Sequence, residues 1–66
     1  MTEVEMLFDC IDRVRAHFSE EPEKAEFWFQ TKNLNLGGVS PMDLIRAGRV
    51  WALHETILNM LEGNLP

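Results

Sequence analysis

The spacing of helix-starting and helix-stopping residues constrains this chain more than any other feature, because it cuts the sequence into four short helical segments. Thr2 with Glu5 three positions later forms a capping box, the reciprocal side-chain and backbone pairing that opens a helix. Val4, Leu7, Phe8, Ile11, Val14 and Phe18 then recur at steps of three and four, which predicts a first helix over Glu3 to His17 with these residues on one face. Pro22, preceded and followed by acids at 20, 21 and 23, suits the first turn of a second helix running to about Thr31. The stretch 32 to 41 reads as a loop, with Gly37-Gly38 supplying a sharp reversal that side-chain-bearing residues resist. Ser40, Pro41 and Asp43 open a third, short helix that Gly48 stops. A fourth helix from about Arg49 to Glu62 carries Val50, Leu53, Ile57, Leu58 and Leu61, and Gly63 ends it. No run alternates in hydrophobicity as a strand would. The expectation is an all-α fold, a small compact array of four helices within a single domain over 1–66.

Such a chain has little core to spare. At 66 residues it buries only roughly 60% of the surface its unfolded form exposes. Its lone cysteine, Cys10, rules out an internal disulfide and a cysteine-rich zinc cluster. A protein partner, or a second copy forming a homo-oligomer, is the remaining way to gain stability. The apolar runs fall far short of the about 20 residues that span a bilayer, and the acidic N-terminus is unlike a secretory signal. A cytoplasmic location with no membrane partner follows as the expectation. Eleven acidic against six basic residues leave a net charge of -5, which opposes direct binding to nucleic acid.

The candidate chemistry is weak. Cys10 and His17 lie seven apart and could share a helix face, but a free cysteine among apolar positions is better read as packing than as a nucleophile. His54 and Glu55 lack the companions of a metal cage, so no metal and no cofactor is expected. Asp9 and Asp12, or Glu20, Glu21 and Glu23, read as solvated faces rather than as acid and base. Leu36-Gly37-Gly38 ahead of a helix lacks the lysine and preceding strand of a phosphate-binding loop. The last two helices could be a helix-turn-helix, but the fourth offers one arginine against two glutamates and few base-reading groups. No catalytic residue is assigned, and the chain is expected not to be an enzyme.

Surplus aromatic and sulfur side chains point to binding instead. Phe27, Trp28 and Phe29 are consecutive, so a helix cannot bury all three; Trp28 and Leu36 are expected in the core. Trp51 and Met60 sit off the main stripe of the fourth helix, and tryptophan and methionine are typical of interfaces.

In order and spacing, Ala25 and Trp28, Asn33, Leu36-Gly37-Gly38, Ser40-Pro41, Asp43-Leu44, Gly48 and Leu61-Glu62-Gly63 resemble the toxin-binding domain of the Xre/MbcA/ParS antitoxins. The resemblance implies an antitoxin-like inhibitor, with a toxin-binding region over 20–66 behind a first helix within 1–18. It also implies a partner of the RES type, an NAD-consuming toxin, whose pocket would meet the fourth helix and the tail. The partner-binding residues it points to are Arg49, Trp51, His54, Glu62, Asn64, Leu65 and Pro66. Only helix one stands ahead of the resembling region, which argues against autoregulation of an operon. The loop also reads Lys32-Asn33-Leu34-Asn35 where family members commonly have a proline next to the asparagine. A second reading is a small regulator, either a dimeric DNA-binding protein or an acidic decoy for a basic nucleic-acid groove. It draws on the concentration of Glu3, Glu5, Asp9, Asp12, Glu20, Glu21, Glu23 and Glu26 in the first half.

Overall fold

The computed structural model describes residues 1–61; Glu62, Asn64, Leu65 and Pro66, expected to bind the partner, and Gly63, expected to end the fourth helix, lie outside the described residues. The order is α1 (Glu3–His17), α2 (Pro22–Gln30), a short 3₁₀ turn (Leu34–Leu36), α3 (Pro41–Arg46) and α4 (Val50–Leu61). The four-helix expectation holds, with the third helix the shortest. Each start is built locally. The Glu5 amide donates to Thr2 Oγ1 at 3.1 Å while the Thr2 amide donates to Glu5 Oε1 at 2.9 Å, and Pro22 occupies the first turn of α2.

At α3 the capping box closes with an aspartate: the Asp43 amide donates to Ser40 Oγ and the Ser40 amide to Asp43 Oδ2, both at 3.1 Å. This satisfies Ser40, which is buried, at a point where an unpaired polar group would be costly. The end of α3 is equally specific. Gly48 adopts φ +73°, its amide donates to Ile45 O at 3.1 Å, and the next amide, Arg49, donates to Leu44 O at 2.8 Å. That pair of bonds is the Schellman arrangement, which turns the chain sharply and satisfies two terminal carbonyls. Arg49 O then accepts the first amide bonds of α4, from Ala52 and Leu53, so one turn both ends α3 and begins α4.

The loop is more ordered than its composition suggests. Asn33 Oδ1 accepts from the Asn35 amide at 2.8 Å, the Asn33 amide donates to Val39 O at 3.0 Å, and Asn33 O accepts from the Gly38 amide at 3.0 Å. An isolated antiparallel bridge between Asn33 and Val39 results, a pairing the sequence reading did not anticipate. It spans one residue pair, and no strand is present among the described residues.

Cys10 and Val14 from α1, Ala25 and Phe29 from α2, Leu44 from α3, and Leu53 and Ile57 from α4 form the buried core. Helix α1 packs chiefly against α4. Two expectations need adjustment. Val4 and Phe8 share the apolar face of α1 by their spacing, yet each is 60% exposed, because the core line runs through Cys10 and Val14 and leaves them on its flank. Trp28 and Leu36 are half-buried and pack against the core from its rim, whereas Phe29 enters it and Phe27 faces out.

Candidate partner-binding face

The Schellman turn sets Arg49 at the head of α4, and from there its guanidinium lies 5.7 Å from the centroid of the Trp51 ring, a cation–π distance. Trp51 is 56% exposed. A tryptophan half in water and backed by an arginine is the kind of side chain that anchors protein interfaces, since it loses exposed apolar area when a partner covers it. Met60, read from the sequence as a companion, is half-buried, and Phe29, counted there among the apolar surplus, is buried in the core.

His54, one turn further along α4, is held by the neighbouring helix α1. Its Nε2 lies 2.7 Å from Asp9 Oδ2 on α1, and the same oxygen accepts from Arg13 Nε at 2.7 Å. The Arg13 hydrogen bond first, and the His54 bond second, hold the Asp9 carboxyl below its ordinary range. Asp9 therefore clamps α1 to α4 beside Trp51, and it positions the face rather than solvating a surface as its sequence context implied. The i to i+4 spacing of Asp9 and Arg13 is legible in the sequence. The contact to His54, 45 positions away, is not.

The other sequence-level pairings separate. Cys10 is fully buried and its thiol is pushed up to about 11, first by burial and then by the Asp9 charge, which removes the thiolate a nucleophile needs. His17 lies on the exposed side, its ring edge-on to Phe18 at 4.8 Å. No group of three or more histidine, cysteine or carboxylate side chains suited to a metal occurs among the described residues. No helix there is long and apolar enough to cross a membrane.

Fold and face together describe a small helical domain that presents an aromatic–cation patch on a braced helix pair. The chain belongs to the antitoxin Xre/MbcA/ParS C-terminal toxin-binding domain family, whose model matches residues 13–63. Its role is accordingly antitoxin-like binding of a protein partner, and the family points to a non-enzymatic function. No curated protein and no solved structure matches the chain. The residues that carry the resemblance do scaffolding work in this fold. Asn33 closes the loop, Gly37 and Gly38 take positive φ within it, Ser40, Pro41 and Asp43 start α3, and Gly48 turns it into α4.

Proposed function

We propose that this protein is an antitoxin-like inhibitor that docks α4 and the residues after it onto a RES-type, NAD-consuming toxin and blocks its pocket. The family match over residues 13–63 carries the reading, and the exposed Trp51 stacked by Arg49 supports it. In this proposal Arg49 and Trp51 form the anchor, and His54 holds α4 in register through Asp9. Glu62, Asn64, Leu65 and Pro66 make the closest approach to the pocket.

The test is co-expression with a RES-type toxin, reading growth and cellular NAD. The full chain should preserve both, while deletion of residues 63–66 and Trp51→Ala should each weaken protection without loss of the circular dichroism signal. Collapse of NAD in the presence of well-expressed full chain would refute the proposal. Full protection by both variants would move the interface elsewhere. The second reading, an acidic decoy, draws on the exposure of Glu3, Glu5, Asp12, Glu20, Glu21, Glu23 and Glu26. Competition by this protein for a basic nucleic-acid-binding protein, with no protection against the toxin, would favour it.

A further inference from the structure

An open groove of about 590 Å³ lies over Ala25 and Phe29, but one acid, Glu26, and one base, Arg15, line it, so its charges select no partner. The outer face of α4 is more particular. Trp51, Glu55 and Asn59 follow one another at steps of four and are all exposed, so they form one ridge of the helix, with the half-buried Leu58 beside it. Arg49 stands ahead of this ridge with its guanidinium over the Trp51 ring. Read along α4, the order is a cation, an aromatic ring and a carboxylate. Arg49 and Glu55 are about 9 Å apart along the axis at the helical rise per residue.

Among the described residues neither Arg49 nor Glu55 has an ion-pair partner. Their neighbours are already committed, because His54 meets Asp9 and the same Asp9 oxygen accepts from Arg13. Glu55 is thus the one carboxylate within α4, and it lies a single turn past the exposed tryptophan. A partner that buries Trp51 also strips water from the turns on either side of it. A charge that loses water without gaining an opposite charge weakens the complex. The partner therefore needs an acid beside Arg49 and a base beside Glu55. Turned end for end about Trp51, the same partner would bring its base to Arg49 and its acid to Glu55, and like charges would oppose the contact.

We propose that Arg49 and Glu55 fix the direction in which α4 docks. Trp51 enters an apolar pocket of the partner protein that carries an acidic side chain on one side and a lysine or arginine on the other. Glu55, a residue outside the set that the resemblance pointed to, is the specificity-determining charge of the face. This rests on the antitoxin-like reading above and adds to it the charge pattern of the partner.

The experiment measures by calorimetry the affinity of the full chain for a purified RES-type toxin, at low and at high salt. Glu55→Lys and Arg49→Glu should each weaken binding about tenfold or more, and Glu55→Gln should weaken it less. Gln30→Lys, at an exposed position on α2, makes the same net charge change as Glu55→Gln, and it should leave the affinity within about twofold because distant exposed charges are screened. Added salt should weaken wild-type binding more than it weakens Glu55→Gln binding, a difference that a merely structural loss would not produce. Circular dichroism checks that each variant is folded. Binding by Glu55→Lys equal to that of Gln30→Lys, or tighter than wild type, would overturn the proposal, as would the same salt dependence in wild type and Glu55→Gln. In those cases the wild-type chain still binds, and a loss of affinity in Trp51→Ala would keep the antitoxin-like reading. A wild-type chain that does not bind the toxin removes that reading, and this proposal with it.

Discussion

Leu53 is fully buried in the cluster that joins α1, α2, α3 and α4, which makes Leu53→Ala the sharpest probe of how this fold is held. The substitution removes about three carbons' worth of apolar transfer, roughly 2.4 kcal/mol at about 0.8 kcal/mol per methylene. A cavity adds to this unless the neighbours collapse, so the expected cost is about 3–4 kcal/mol. A domain of 66 residues has a total stability of about 3–10 kcal/mol by the usual per-residue range. The loss is therefore a large share of the whole. At roughly 4–8 °C per kcal/mol for a domain of this size, a loss of about 3 kcal/mol lowers Tm by about 12–24 °C or abolishes the cooperative melt. Thermal circular dichroism at the helical minimum measures it. Phe27→Ala is the matched control, because Phe27 is 70% exposed and its loss should cost no more than about 0.5 kcal/mol. A Leu53→Ala melt within about 5 °C of wild type, or a larger loss for Phe27→Ala, would refute the assignment of the core.

Asp9 titrates below its ordinary range when folded, so its contribution is present above about pH 4 and is lost as pH falls through the depressed value. Urea unfolding between acid and neutral pH should show a steeper acid loss for wild type than for Asp9→Asn, and coincident profiles would show that the His54–Asp9–Arg13 contact carries no stability. Gly48→Ala should cost about 1–2 kcal/mol, because the position needs φ +73° and a methyl there meets no atom within 4 Å, leaving backbone strain as the whole effect. A urea midpoint equal to wild type would mean that the turn relaxes without cost. The Cys10 thiol, buried and pushed up to about 11, should resist iodoacetamide at pH 8 in the native state and react on unfolding in urea; fast native alkylation would contradict its place in the core.

Much of this architecture is written within a few residues at a time. The Thr2–Glu5 and Ser40–Asp43 boxes, Pro22 and Pro41 at helix starts and Gly48 at a helix stop all act within at most five positions, so sequence alone locates the four helices to within a residue or two. The exposure of Trp51, off the apolar stripe of α4, was legible for the same reason. Which apolar residue goes inside was not. Phe27, Trp28 and Phe29 have similar hydrophobicity, and only the face that α2 turns to its neighbours puts Phe29 inside and leaves Phe27 in water. Val4 and Phe8 likewise lie off the buried line of α1 through Cys10 and Val14, because a helix shows an apolar stripe wider than one neighbour can cover. The His54–Asp9 clamp and the groove over Ala25 and Phe29 were also decided by tertiary structure. Each depends on the packing of separate segments, a product of the whole core's free energy that no local pattern encodes.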